Sequence, residues 1–330
     1  MSLLEARSTY KPFDYPWAYD AWLKQQQMHW LPDEVPMADD IKDWKHNLTT
    51  AEINLCTQIF RFFTQSDIDV NDCYMTRYSN IFKPVEIKMM LSSFSNMETI
   101  HIAAYSHLIE TLGMPDEIYE EFTKYKEMKD KHNFTKKFTH DTKDGIALTL
   151  AVFGAFMEGM QLFSSFAILL NFQRFGKMRG MGQIITWSVR DETLHTNNII
   201  KLFRTFVTEN PSIWNEKLRS EIYEVCSTMV YFEDAFIDLA FEINGKVQGL
   251  KAEEVKRYIR YIADRRLLQL GLKPRYLIES NPLPWLDSIL NAVEHANFFE
   301  NRATEYSKSA TTGTWDDAFS IHENLSESML

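Results

Sequence analysis

The chain has 330 residues, 45% of them hydrophobic, with only 11 glycines and 10 prolines. That supplies a large apolar core and argues against an architecture of short strands and tight turns. A formal charge of −11 argues against a nucleic-acid-binding surface.

Cys56, Cys73 and Cys226 form no CxxC pair and leave one cysteine over in any disulfide scheme, which suits reduced thiols and a cytoplasmic location. The start, Met1-Ser-Leu-Leu-Glu-Ala-Arg7, lacks the basic-then-apolar form of a signal peptide. Residues 1–47 read as an N-terminal arm with one short helix over about 18–29. Pro32 and Pro36 argue for extended chain through Trp30-Leu-Pro-Asp-Glu-Val-Pro36. By pattern alone Trp30 is a packing residue.

Thr49-x-x-Glu52 is a capping box that opens the first core helix. Ile53, Cys56, Ile59, Phe60 and Phe63 then repeat at helical spacing. Asp67 falls on this apolar stripe, four residues after Phe63, whereas Asp69 is rotated away. An acid so placed is a ligand or a hydrogen-bonded core group. Pro84 stands at a first helical position for the second helix, which runs to about Thr111 and stops at Gly113-Met-Pro115. Glu98, His101 and Tyr105 are related as i, i+3 and i+7, so they share one face. A buried phenol needs a polar partner, which a ligand carboxylate would supply.

Residues 114–143, with the charged run Lys124–Lys131, read as a solvated helix and loop. The third core helix, about 144–174, carries Glu158 as the one ionisable residue between Ala147 and Leu170. Its length would span a bilayer, but a carboxylate at its centre would cost roughly 2.5–3.5 kcal/mol on insertion scales. With no second such span, it reads as the buried central helix of a soluble protein. A buried carboxylate must then be paired, protonated or metal-bound. The fourth helix, about 180–208, carries Asp191, Glu192 and His195. Further helices follow over about 211–242 and 252–270, with Gly271 as a stop and a break at Asn281-Pro-Leu-Pro-Trp285. The expected domain is an all-α bundle over 48–300, followed by a flexible tail over 301–330.

Two Glu-x-x-His pairs, Glu98/His101 and Glu192/His195, are each preceded by an acid-bearing helix. Asp67 lies 31 residues before Glu98, and Glu158 lies 34 before Glu192. A carboxylate and an imidazole three residues apart on a helix can address one ion. This approximate internal two-fold is the pattern of the ferritin-like di-iron and di-manganese carboxylate bundles. Four carboxylates neutralise two divalent ions, and mixed oxygen and nitrogen donors suit iron or manganese better than structural zinc or calcium. A tyrosine on the same helical face is an oxidisable neighbour.

Taken together, several motifs resemble the radical-generating small subunit of class I ribonucleotide reductase over almost the whole chain. They are His29-Trp30-Leu-Pro-Asp-Glu-Val35, Gln65-Ser-Asp67, Glu98-Thr-Ile-His101-x-x-x-Tyr105, Glu158-Gly159 and Arg190-Asp191-Glu192-Thr-Leu-His195. The resemblance implies a ferritin-like homodimer with Asp67, Glu98 and His101 at one ion and Glu158, Glu192 and His195 at the other. It implies two iron ions with a tyrosyl radical on Tyr105, two manganese ions being the alternative. Trp30, joined to His101 through Asp191, would supply an electron during assembly. Tyr306 would relay the radical, with Glu300 as a linked acid, and the tail would dock on the large subunit that reduces ribonucleoside diphosphates to deoxyribonucleotides. A related di-iron oxidase acting on a small organic substrate would need neither Tyr306 nor the tail. A ferritin-like iron store would not need Trp30, Asp191 and His101 in a line.

Overall fold

The apolar periodicity becomes a set of long helices in the computed structural model, which describes residues 2–121, 124–242 and 247–290. The arm carries α1 (Pro16–Gln27) and α2 (Ala38–Lys42). The first core helix, α3 (Thr50–Asp72), runs into a π-helical turn, Cys73–Tyr78, and the short α4 (Ser79–Ile81). Helix α5 (Val85–Thr111) returns beside α3. Two short helices, α6 (Ile118–Glu121) and α7 (Lys126–Thr135), lead to the central apolar helix. That helix is composite: α8 (Lys143–Leu150), π-helical turns over Ala151–Gln161, and α9 (Phe163–Leu170). Helices α10 (Arg179–Glu209), α11 (Glu216–Glu242) and α12 (Ala252–Gln269) follow. Among the described residues there is no strand, only an isolated bridge between Val247 and Leu250. All of these elements belong to one unit, residues 1–286; a second begins at Asp287, and its described residues, 287–290, are helical.

Local chemistry fixes the helix ends. Thr49 Oγ1 accepts from Glu52 N at 3.2 Å, and Glu52 Oε2 accepts from Thr49 N at 2.8 Å, so both halves of the capping box form. Glu52 also accepts from Lys177 Nζ at 2.7 Å, tying the start of α3 to the segment before α10. Pro84 caps α5 from outside and is not its first helical residue. Helix α10 has no side-chain cap of its own, since the residue before it, Met178 (left-handed at φ 53°), has no side-chain oxygen to accept its amides. The arm supplies the cap: Asp40 accepts from the Gly180 and Met181 amides at 2.7 and 2.8 Å, and Asp43 from Met178 N at 2.8 Å.

The central helix is long and apolar enough to cross a membrane, but 94% of its most apolar window is buried inside the protein. It packs against α10, α11 and α12, so it is a core helix. Two other expectations need correction. Pro32–Glu34 is a 3₁₀ turn, not extended chain. Proline's missing N–H costs nothing at a first helical position, and Glu34 Oε1 caps Leu31 N at 2.7 Å. The charged run Lys124–Lys131 is not wholly solvated either. Lys131 is buried, paired with Glu233 of α11, and its ammonium sits 3.6 Å from the Phe62 ring centroid.

Candidate metal centre

Four helical segments deliver six buried side chains to one place. Asp67 comes from α3, Glu98 and His101 from α5, Glu158 from the π-helical run, and Glu192 and His195 from α10. Their ligand atoms form two overlapping groups, Asp67–Glu98–His101 and Glu98–Glu158–Glu192–His195, each with its atoms within 4.8 Å of one another. Glu98 reaches both histidines, with Oε1 3.0 Å from His195 Nδ1 and Oε2 3.5 Å from His101 Nδ1. Glu192 does the same, Oε1 lying 3.3 Å from His101 Nδ1 and Oε2 3.9 Å from His195 Nδ1. The resemblance implies three ligands at each ion; the geometry lets Glu98 and Glu192 reach both histidines. Gly159 follows Glu158 where a Cβ would meet Arg266 Nε at 2.7 Å and Thr196 Cγ2 at 2.8 Å, so a larger residue would push the π-helical run away from α10 and α12.

The donor atoms behave as ligands for a cation. Both oxygens of Glu98, Oε2 of Glu158 and of Glu192, and Nδ1 of both histidines are buried with no hydrogen-bond partner. Buried polar atoms are rarely left so, and here they converge. The outer imidazole nitrogens are held instead. His101 Nε2 lies 3.4 Å from Asp191 Oδ2, and His195 Nε2 lies 3.1 Å from Gln25 Oε1. Because Asp191 and Gln25 Oε1 are acceptors, each Nε2 carries a proton, and Nδ1 is the nitrogen left to face the centre and bind an ion in place of a second proton. Gln25 Nε2 donates to Asp191 Oδ1 at 3.3 Å, and Trp30 Nε1 donates to Asp191 Oδ2 at 2.8 Å. Arg190 reaches the same carboxylate and the Met28 carbonyl oxygen.

The electrostatics agree with a cation site. Burial works against the Glu98 charge, but contacts with His101 and His195 prevail and bring its pKa down to about 2. Burial and the Glu98 charge push Glu192 well up, and burial also raises Glu158. Burial opposes charge on the imidazoles, yet the carboxylates raise His101 strongly and His195 to about 10. Protons thus offset the excess negative charge where divalent ions would. Carboxylate oxygens and imidazole nitrogens are the donors iron and manganese accept.

Tyr105 is buried one turn beyond His101, its ring stacked on Phe63 at 4.6 Å, with Phe166 5.8 Å from Phe63. The phenol donates to Ser188 Oγ at 3.0 Å, so its hydrogen-bond partner is this hydroxyl and not the ligand carboxylate anticipated from sequence. Burial and the nearby Asp67 charge hold its pKa well above the usual phenol value. Trp30 is buried with its ring 6.2 Å from that of His101. Asp69 pairs with His132 away from the ligand groups, and Asp72 is exposed. Tyr306, Glu300 and the tail over 301–330 lie outside the described residues.

Three residues of the site were missed. Ser188 stands one turn before Asp191, and Gln25 lies on α1 with no periodic signal to mark it. Tyr74, whose hydroxyl donates to Glu158 Oε1 at 2.5 Å, comes seven residues after Asp67, a spacing that places it on the same face.

The family model for the ribonucleotide reductase small chain matches residues 7–282. A protein of Invertebrate iridescent virus 6 named a probable ribonucleoside-diphosphate reductase small subunit is 46% identical, over 96% of this chain and 98% of its own. One of the same description from Invertebrate iridescent virus 3 is 47% identical, over 96% and 88%. Among solved structures, the ribonucleotide reductase R2 subunit of Clostridium botulinum superposes with a TM-score of 0.80 at 24% identity, covering 88% of this chain and 94% of that one, a likeness of fold. With its buried dimetal ligand set and its helical bundle, the chain belongs to the ribonucleotide reductase small-chain family.

Proposed function

We propose that this small subunit oxidises Tyr105 at a dimetal centre held by Asp67, Glu98, His101, Glu158, Glu192 and His195, and passes the oxidising equivalent to a large subunit that reduces ribonucleoside diphosphates. The observation that carries the reading is the convergence of unpartnered carboxylate oxygens and inward Nδ1 atoms beside the buried phenol of Tyr105. When bound, the two ions, iron in this reading with manganese as the alternative, supply one-electron oxidising power next to the tyrosine. The chain supplies the rest. Asp191 and Gln25 hold the outer nitrogens and keep the inner nitrogens of the imidazoles aimed at the centre, while Phe63 and Phe166 exclude water from Tyr105. Trp30 and Asp191 form a hydrogen-bonded line to His101 along which an electron is delivered during assembly.

The proposal extends to the parts beyond the bundle. The arm, 1–47, carries Trp30; the bundle, 48–300, holds the metals; the tail, 301–330, docks on the large subunit, with Tyr306 as the relay. The subunit acts as a homodimer in the cytoplasm.

The test is electron paramagnetic resonance on metal-free protein loaded with ferrous iron and exposed to oxygen, with metal counted alongside. A tyrosyl signal in the wild type that is absent from Tyr105→Phe, at equal iron content, supports the reading. An undiminished signal in Tyr105→Phe would place the radical elsewhere. Two bound irons without any radical would turn the experiment to manganese.

A further inference from the structure

Tyr74 is a second phenol at the centre, and it touches a different ligand from those near Tyr105. It is buried, edge-on to His195 with ring centroids 6.2 Å apart at 83°, and edge-on to Phe94 at 6.1 Å. Its hydroxyl donates to Glu158 Oε1 at 2.5 Å. The two oxygens of Glu158 are therefore unequal: Oε1 takes the phenol's hydrogen bond and lies 3.7 Å from His195 Nδ1, while Oε2 is buried without a partner. Glu98 has neither oxygen in a hydrogen bond. A carboxylate on a flexible side chain can bind a metal through one oxygen or chelate it through two. A short bond from a fixed phenol takes one lone pair of Oε1 and limits how the Glu158 carboxylate can turn, whereas no such bond holds Glu98.

The backbone points to the same pair. Tyr74 lies in the π-helical turn Cys73–Tyr78 and Glu158 in the π-helical run Ala151–Gln161. Such turns depart from the regular hydrogen-bond ladder and often mark functional positions. Two irregular segments, 84 residues apart in sequence, thus meet at one phenol–carboxylate bond.

We propose that Tyr74 is a positioning residue: its phenol holds Oε1 of Glu158 and so fixes the orientation in which this carboxylate would meet the metal. The proposal rests on the dimetal reading above. Tyr74 gives up neither electron nor proton in this role and acts only through Glu158.

Mössbauer spectroscopy of the full-length protein loaded with ferrous iron tests it. Tyr74→Phe keeps the ring against Phe94 and His195 and removes only the hydroxyl. The control is Tyr78→Phe, in the same turn, whose phenol donates to the Thr149 carbonyl oxygen at 2.9 Å and to no ligand. Wild-type protein is expected to bind two irons per chain and give two quadrupole doublets. Tyr74→Phe is expected to keep both irons and displace one doublet, while Tyr78→Phe displaces neither. A second hydroxyl-free variant, Tyr74→Met, is expected to repeat the one-sided displacement, which guards against a folding defect peculiar to one substitution. Two unmoved doublets in the Tyr74 variants, with two irons bound, overturn the positioning role and leave the dimetal reading standing. Equal displacements in the Tyr74 and Tyr78 variants overturn it too, since packing alone would then be the cause. A wild-type chain that binds no iron overturns the dimetal reading and this proposal with it.

Discussion

Tyr105 on α5 donates to Ser188 on α10 at 3.0 Å, and Ser188 donates in turn to the Ile184 carbonyl oxygen at 3.1 Å. The phenol is thus tied to the backbone of the helix that carries Glu192 and His195. Removing the acceptor strands a buried hydroxyl, which costs about 1–3 kcal/mol. Ser188→Ala should lower the thermal midpoint accordingly and alter the g-values of a Tyr105 radical in high-field spectra. An unchanged spectrum would show that Ser188 does not bond the oxidised residue.

Gln25 holds the outer nitrogen of His195 as Asp191 holds that of His101. Loss of such a partner typically lowers metal affinity about 10–100-fold. Gln25→Ala should weaken one of the two sites by that order in a metal titration and spare the other. Equal weakening of both would mean that Gln25 acts through Asp191, its other partner.

Trp30→Phe keeps an aromatic ring in the arm but removes the donor that Asp191 Oδ2 accepts at 2.8 Å. Two ferrous ions should still bind. The radical yield per chain on exposure to oxygen should fall, and an added one-electron reductant should restore it. A full yield without reductant would remove Trp30 from the electron route.

Glu52 links the capping box of α3 to Lys177. Burial works to raise its pKa, but the bonds from Lys177 and Thr49 prevail and hold it below the ordinary 4.5. A carboxylate whose folded value is depressed adds stability above its unfolded pKa and loses it as pH falls through the folded value. Glu52→Gln should therefore be less stable than the wild type at neutral pH, with the gap closing below pH 4.5. Thermal unfolding across that range decides it, and a gap independent of pH would assign the effect to the cap alone.

The ligand helices were legible because helical spacing is arithmetic. Glu98, His101 and Tyr105 share a face by count alone, and the apolar stripe separates Asp67, which is buried among the ligands, from Asp69, which pairs with His132. The capping box at Thr49 was equally plain. What was not legible depends on partners remote in sequence. The π-helical run around Glu158 leaves no mark in composition, because it changes only which carbonyl each amide meets. Lys131 sits in a charged run, and only Glu233, far along the chain, explains its burial. Gln25 and Asp40 look like ordinary surface residues of an arm until α10 lies against them.

The arm's grip on α10 has a consequence for how the chain is made. Asp40 closes amides that lie 140 residues or more downstream, at Gly180 and Met181. On the ribosome the arm therefore emerges long before its partner exists, and contacts of such separation are slow to form. Until α10 is made, Asp40 has no amides to cap and Trp30 has no Asp191 to meet. A nascent chain at that stage holds Asp67, Glu98, His101 and Glu158 but neither Glu192 nor His195. The ligand groups and the bond from Trp30 to Asp191 are therefore completed together, by the same late helix.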